Sequence, residues 1–490
     1  MTTHEESRPA LPMPVKATPY RHQQEAFGFV CRSFGLLPEP EAGPPATKSS
    51  GCALLMEMGT GKTITSIAIT GALAKAGRIG RVLIVAPLSI LGVWEAEFAR
   101  FADFPYFLAV LSGTGAKKLD TLRHMTGAAL QVAVVNYESA WRMEKDLLAW
   151  RPGLIIADEG HKIKTHNIAT SKAMHRLGRA ASYRLLLTGT VITNKAIDVF
   201  SQYKFTNPAI FGQSFYAFRS RYFDMVGYGN HTPVLKKSME AELVEKMHAI
   251  AYRATKAECL DLPETTDILR QVDLEPAALR IYKGLVKESY AELSGGEVTA
   301  PNILTRLLRL SQLTGGFIGN DETASVEQVS AAKLSALEDI LDGAVAEGKK
   351  LVIIARFLPE IRAICKLLEK RSLRYSCITG EVKNREEQVE QFQNEPEVMA
   401  FVGQIATAGL GITLTAASTM VFYSLDYSMS NFEQTKARIH RVGQRMPCTY
   451  LYLVARGTVD EKVLLALKNK ADLAKTLVDD YRSGKNPFAA

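Results

Sequence analysis

The 490-residue chain is poor in the features that mark small stapled domains, secreted proteins and membrane proteins. Its six cysteines (Cys31, Cys52, Cys259, Cys365, Cys377 and Cys448) include no Cys-x-x-Cys pair. That excludes a zinc ribbon and a disulfide framework, and predicts buried thiols in a reducing compartment. No uninterrupted apolar run reaches the ~18 residues that a spanning helix needs. The N-terminus lacks the basic-then-apolar pattern of a secretory signal. The expectation is a cytoplasmic protein with no membrane association, acting as a monomer. No repeat of fixed period is present, so a solenoid is excluded. Hydrophobic residues make up 47% and charged residues 22%, an ordinary globular balance that excludes a disordered, collagen-like or coiled-coil chain.

Charge of one sign is not in great excess either: 59 Lys and Arg stand against 51 Asp and Glu, a net +8. The surplus is local. Gln434–Ala490 holds 11 basic and 5 acidic residues, and Tyr183–Ser238 holds 7 and 2. The remainder is slightly acidic, so polyanion binding, if present, belongs to those two stretches.

At about 150 residues per domain the length predicts two or three domains. Residues 1–18, polar and rich in proline, read as a flexible tail. Branched-aliphatic runs at Val82–Ala86, Val132–Val135, Leu154–Ala157 and Arg184–Leu187 read as buried strands, with helical patterns such as Thr63–Lys75 and Ala169–Leu177 between them. Strand-helix alternation of this kind predicts a parallel sheet covered on both faces. From Ile197 to about Arg253 the chain turns aromatic, basic and mostly helical. Helices are expected at Leu274–Leu293 and Ile303–Leu313. Alternation then resumes through Lys350–Ala355, Arg374–Ile378, Met399–Gln404, Met420–Tyr423 and Tyr450–Val454. The fold class is therefore α/β, with two doubly wound parallel-sheet lobes and helical insertions. The expected layout is 19–265 with a helical protrusion at about 197–253, then 266–490 with a helical insertion at about 274–313 and a closing helix at about 458–480.

Three motifs carry chemistry. Met56-Glu57-Met58-Gly59-Thr60-Gly61-Lys62-Thr63 follows an apolar run and opens a helix. Glycines there let backbone N–H groups curl around phosphate oxygens, and the helix N-terminus adds partial positive charge. Lys62 suits the β- and γ-phosphates, and Thr63 suits Mg²⁺. The strict phosphate-loop pattern wants glycine where Met56 stands, and the same residues also fit a glycine turn before a core helix. Asp158-Glu159-Gly160-His161 ends a strand. Asp158 is placed to hold Mg²⁺ and Glu159 to orient and deprotonate a water, although such a tetrapeptide alone also fits a solvated turn. Finally, in Gln434-x-x-x-Arg438-x-x-Arg441-x-Gly443-Gln444, arginines three apart would share a helix face and clamp a phosphoryl group, or simply form a basic surface helix.

Taken in order from about Thr18 to Leu477, these motifs resemble those of the Swi/Snf-type ATPases of helicase superfamily two, chromatin-remodeller-like DNA translocases. Pro19-Tyr20-Arg21-His22-Gln23 resembles their adenine-reading motif. Val85-Ala86-Pro87-Leu88-Ser89-Ile90-Leu91-x-x-Trp94, Val135-Asn136-Tyr137-Glu138 and Leu187-Thr188-Gly189-Thr190 are similar to motifs Ia, Ib and III. Gln404-Ile405 through Gly409-Leu410-Gly411-Ile412-Thr413-Leu414-Thr415 is similar to motif V, and Gln434–Gln444 to motif VI. The chain departs from the pattern at Val191, Thr193, Ala408 and Thr413. It resembles the compact bacterial and phage forms more than a eukaryotic remodeller.

The resemblance implies ATP and Mg²⁺ as cofactors, bound between two RecA-like lobes. Gln23, Gly59, Thr60, Gly61, Lys62, Thr63, Gly411 and Gln434 would bind nucleotide, with Thr63 and Asp158 holding the metal. Lys62, Glu159, Arg438 and Arg441 would be catalytic. Double-stranded DNA is the implied partner, contacted without sequence preference through Pro87, Ser89, Asn136, Tyr137, Thr188, Thr407 and Gly409. A second duplex contact is expected at Lys236 and Lys237, in a stretch whose aromatics also fit the core of a small insertion. An unidentified recruiting protein or nuclease would complete the partners. The implied activity is ATP-driven translocation on duplex DNA. The alternatives are a strand-separating DNA or RNA helicase, and a nucleotide-gated DNA-binding scaffold with little turnover.

Overall fold

The computed structural model describes residues 11–38, 47–127, 129–189, 196–226, 232–259, 262–294, 300–319, 326–382, 384–405, 412–469 and 486. The chain divides into two compact units, Met1–Asp261 and Leu262–Ala490.

The first unit is built on a seven-stranded sheet of β1 (Gly51–Met56), β2 (Arg81–Ala86), β3 (Tyr106–Val110), β4 (Leu130–Asn136), β5 (Leu154–Asp158), β6 (Tyr183–Thr188) and β9 (Ala251–Ala254). The spatial order is β3-β4-β2-β5-β6-β1-β9, and every pairing is parallel. Strands buried on both faces read as continuous apolar runs, which is why β2, β4, β5 and β6 stand out in the sequence. Their alternate residues feed two separate cores. Leu83, Val85, Ala133, Val135, Ile155, Ala157 and Leu186 face one layer of helices. Val82, Ile84, Val132, Val134, Ile156, Leu185 and Leu187 face the other.

Two expectations need correction here. The stretch 197–253 is not all helix: β7 (Phe223–Val226) and β8 (Thr232–Leu235) form an antiparallel hairpin, and β9 is the edge strand of the main sheet. The described part of the expected tail, from Leu11 on, is tied down: the Lys16 N–H donates to the Phe101 carbonyl (2.9 Å), Val15 bridges Ala102, and Leu11, Met13 and Val15 pack on the core.

In the second unit β10 (Thr265–Val272), β13 (Leu351–Ala355), β14 (Arg374–Ile378), β15 (Val398–Gln404), β16 (Thr419–Phe422) and β17 (Cys448–Ala455) form a parallel sheet in the order β10-β17-β16-β13-β15-β14. A separate two-stranded ribbon pairs β11 (Phe317–Gly319) with β12 (Val326–Gln328). Helices Pro276–Ser294 and Ala300–Thr314 occupy the expected insertion; a helix runs Val459–Lys468, and residues 470–480 of the expected closing helix lie outside the described residues. No described helix is long and apolar enough to cross a membrane. The cysteines are all free thiols, but only Cys31, Cys52 and Cys448 are buried. Cys259, Cys365 and Cys377 are half-buried, which corrects the expectation for those three.

Candidate active site

Pairing register brings the chemistry of the first unit to one sheet edge. Leu55 of β1 lies beside Thr188 of β6, and Leu187 beside Asp158 of β5. The C-terminal ends of β1, β6 and β5 are therefore adjacent, with the glycine-rich loop leaving β1 and Asp158-Glu159 closing β5. Open parallel sheets bind ligands outside such strand ends.

The loop is shaped by Gly59 (φ +86°) and Gly61 (φ +94°). Gly61 precedes helix Lys62–Lys75 in a left-handed conformation, and a β-carbon there would stand 2.1 Å from Gln23 Nε2, so no side chain fits. Lys62 Nζ donates to the Met56 carbonyl at 2.8 Å, holding a cation inside the turn. Thr63 is half-buried on the first turn of the helix, and Thr60 is buried with its hydroxyl donating to the Glu57 carbonyl at 2.7 Å.

Gln23, expected as the adenine reader, sits against the glycine loop. It is buried, its Nε2 donates to the Thr60 carbonyl (3.2 Å), and its Oε1 accepts the Tyr20 N–H (3.0 Å). His22 meets the same Thr60 carbonyl at 2.7 Å. Both residues brace the glycine loop from beneath, a role that the resemblance did not suggest.

Asp158 is held from three directions. Trp94 Nε1 donates to Oδ2 at 3.0 Å, the Glu159 N–H donates to Oδ1 at 2.9 Å, and the Tyr137 hydroxyl donates to the Asp158 carbonyl at 2.7 Å. Burial pushes the Asp158 carboxyl up to about 7, the Glu159 charge adds to this, and the Lys62 cation works against it. A carboxyl so desolvated gains by meeting a cation. Glu159 takes the left-handed conformation (φ +51°), which turns its carboxylate to His161 Nδ1, with Oε2 at 3.2 Å. Gly160 is required at this bend, because a β-carbon would meet Leu186 Cδ1 at 2.4 Å.

The nucleic-acid assignments fare unevenly. Pro87 is half-exposed at the start of a short 3₁₀ turn (Leu88–Ile90), and Asn136 is half-buried at the end of β4. Tyr137 and Thr188, however, are 7% and 1% exposed. Tyr137 serves Asp158 instead of presenting its ring to a strand, so its assignment as a nucleic-acid contact is corrected, and buried Thr188 presents no surface. Ser89 lies in the 3₁₀ turn. Thr407, Gly409 and Gly411 lie outside the described residues.

Lys236 is spent on the protein, donating to the carbonyls of Ser220 (2.8 Å) and Arg221 (3.2 Å), whereas Lys237 is exposed. Of the aromatics in this stretch, Phe211, Phe218, Tyr222 and Phe223 are buried against one another as the core of the insertion. Tyr216 is exposed and carries Arg219 over its ring at 5.2 Å.

In the second unit, Gln434 lies half-buried on helix Met429–Lys436. The arginines do not share a helix face. The helix ends at Lys436, and Arg438 and Arg441 follow in successive turns. Past Lys436 the bonding pattern changes: the Arg438 N–H donates to the Thr435 carbonyl three residues back (3.0 Å), and the Arg438 carbonyl accepts the N–H of distant Leu414 (3.0 Å). Arg438 is buried, and Arg441 is half-buried with Nη1 donating to the Ile412 carbonyl at 3.3 Å. Gln444 locks this segment. Its Nε2 donates to the Ala417 carbonyl (2.8 Å) and the Ile439 carbonyl (3.1 Å), and its Oε1 accepts the N–H groups of Arg445 and Met446.

Residues 19–314 match the SNF2-related domain, and residues 332–443 match the helicase conserved C-terminal domain. The chain belongs to the SNF2-related family. Among similar curated proteins, a RAD54-like DNA repair and recombination protein of Drosophila pseudoobscura pseudoobscura is 25% identical over 489 residues, covering 90% of this chain and 62% of the relative. The DNA repair and recombination protein RDH54 of Saccharomyces cerevisiae is 26% identical over 525 residues, covering 94% of this chain and 54% of the relative. The SNF2-related chain thus spans less than two thirds of the length of these relatives. Among solved structures, the Sulfolobus solfataricus SWI2/SNF2 ATPase core in complex with dsDNA is similar at 26% identity and a TM-score of 0.45, covering 98% of this chain and 96% of that one.

Proposed function

We propose that this SNF2-related protein is an ATP-driven motor that moves along double-stranded DNA without reading its sequence. The observation that carries the catalytic part is the convergence at one sheet edge of a glycine-turned loop, the Lys62 ammonium and the Asp158–Glu159 carboxylate pair. The site fits a magnesium nucleotide chemically: a cation-bearing loop suits phosphates, and a desolvated carboxyl suits a metal ion. Gly59, Thr60, Gly61, Lys62 and Thr63 would bind the phosphates, and Thr63 and Asp158 would hold Mg²⁺. When bound, Mg²⁺ supplies neutralisation of charge on the phosphate oxygens. Glu159, oriented through His161, directs the attacking water and takes its proton. Arg438 and Arg441 stabilise the transferring phosphoryl group, and Gln434 contributes from the same segment.

The DNA part rests on family membership and on relatives whose names place them in DNA repair and recombination. In this proposal Pro87 and Asn136 position the duplex backbone from the strand ends beside the site. Lys237 and the Arg219–Tyr216 pair add a contact that weakens as salt rises.

The test is ATP hydrolysis by the full chain with no nucleic acid, duplex DNA, single-stranded DNA or RNA, with Glu159→Gln in parallel. Duplex DNA should raise the rate at least tenfold over the bare protein and over the other polymers, and Glu159→Gln should lose about 10²–10⁴ in rate. Stimulation by single strands or RNA alone would replace this reading with a strand-separating helicase. Tight DNA binding with negligible turnover in the parent would leave a nucleotide-gated scaffold.

A further inference from the structure

We propose that Trp94 is a positioning residue that fixes the Asp158 carboxylate for the metal ion through its indole N–H. The inference rests on the assignment of Asp158 to Mg²⁺ above and extends it to a residue that neither family likeness nor sequence spacing had given a task.

An ionised carboxylate offers about four acceptor positions. At Asp158 two are taken: Oδ2 by Trp94 Nε1 at 3.0 Å, and Oδ1 by the Glu159 N–H at 2.9 Å. One donor belongs to helix Leu91–Phe101 and the other to the turn that follows β5. Rotation of the carboxylate about its Cβ–Cγ bond breaks both bonds together, so its plane is set. One further acceptor position remains on each oxygen. The backbone of the same residue is pinned by the Tyr137 hydroxyl at 2.7 Å.

Indole suits this task for a specific reason. Its N–H only donates, so it orients an acceptor without adding charge or competing for a cation. Lysine in its place would neutralise the carboxylate, and serine would have freedom to turn away. Trp94 itself is 1% exposed, with its ring centroid 6.3 Å from that of Phe98, so the donor has no latitude. A buried tryptophan usually finds a partner for its N–H, and a purely structural role would end there. The partner here is the carboxylate assigned to the metal. Hydrogen bonds of this kind orient ligands, and their loss typically weakens metal binding 10–100-fold.

The experiment measures Mn²⁺ binding, by the electron paramagnetic resonance of the free ion, to the full chain saturated with a non-hydrolysable ATP analogue. Four proteins are compared: the parent, Trp94→Phe, Phe98→Leu and Asp158→Asn. Phe98 is fully buried in the same core as Trp94. Trp94→Phe should bind Mn²⁺ 10–100-fold more weakly, with analogue affinity in the absence of metal unchanged, while Phe98→Leu stays within about threefold of the parent. If Trp94→Phe matches the parent while Asp158→Asn is weakened, or if Phe98→Leu loses as much as Trp94→Phe, the inference fails and the assignment of Asp158 stands. If Asp158→Asn binds Mn²⁺ like the parent, the assignment itself fails.

A second measurement needs no change at Trp94. The chain has three tryptophans, so in a Trp141→Phe/Trp150→Phe background Trp94 is the sole indole. Its emission should shift when Mg²⁺ is added to the analogue-loaded protein, and an unchanged spectrum contradicts the inference.

Discussion

Arg441→Ala is expected to lower ATP turnover by about 10³–10⁵-fold while leaving nucleotide affinity within a few-fold of the parent. A guanidinium acting on the transferring phosphoryl group stabilises charge that develops during reaction, so its loss falls on turnover. Arg441 is half-buried, and its Nη1 donates to the Ile412 carbonyl at 3.3 Å. Arg441→Lys should recover only a small part of the rate, because an ammonium cannot make the paired contacts of a planar fork. Phosphate release at saturating ATP and duplex DNA measures the effect. A variant that hydrolyses ATP at the parent rate contradicts the assignment of Arg441.

Asp460→Ala is expected to destabilise the second unit by about 3–5 kcal/mol. Lys333 is buried, and its Nζ lies 2.6 Å from Asp460 Oδ2 and donates to the Tyr423 carbonyl at 3.1 Å. The other oxygen of Asp460 accepts the Thr314 hydroxyl at 2.7 Å. One carboxylate therefore joins helices Ala300–Thr314, Ala332–Ala346 and Val459–Lys468 and the end of β16. Removing it leaves the buried Lys333 ammonium without its counter-charge, while the Thr314 hydroxyl keeps the Ser311 carbonyl at 3.0 Å. The double variant Lys333→Met/Asp460→Leu should regain most of the loss, since apolar groups of similar volume carry no desolvation cost. Urea unfolding followed by circular dichroism measures both. A loss below about 1 kcal/mol for Asp460→Ala contradicts the role given to the pair.

The strands that could be read in advance are those whose burial is written into their own residues. β2, β4, β5 and β6 lie between two helical layers and are aliphatic throughout. β9 (Ala-Tyr-Arg-Ala) and β10 (Thr-Thr-Asp-Ile-Leu-Arg-Gln-Val) are edge strands without such a run, and their residues are less covered: β10 is exposed at every residue but Val272. Their identity comes from the partners β1 and β17, which local pattern does not contain. The arginines after Gln434 illustrate the same limit. No proline or glycine interrupts the chain before Gly443, so a helix through Arg441 is the local expectation. The helix stops at Lys436, and the Arg438 carbonyl just beyond it pairs with Leu414, more than twenty residues away, a partner that local pattern does not contain.

At the candidate site, the spacing of Gly59, Gly61, Lys62, Asp158 and Glu159 pointed to phosphate and metal chemistry before any fold was known, since backbone reach and charge are local properties. The supporting residues were not legible. Gln23, Trp94 and Tyr137 occur within motif-like segments, but their partners, Thr60 and Asp158, are 37, 64 and 21 residues away. Only the folded sheet brings them together. The aromatics of Phe211–Phe223 were readable either as a ligand surface or as a core; burial decides for the core at Phe211, Phe218, Tyr222 and Phe223, while Tyr216 stays exposed.

Movement along an intact duplex is the central claim, and displacement of a third strand from a triplex tests it most directly. The full chain is given a duplex carrying a bound third strand at one end, with ATP and Mg²⁺. Release of the third strand should require hydrolysis, be absent in Glu159→Gln, and leave the two strands of the underlying duplex paired. Hydrolysis without release, or release only with separation of the duplex strands, would contradict the account.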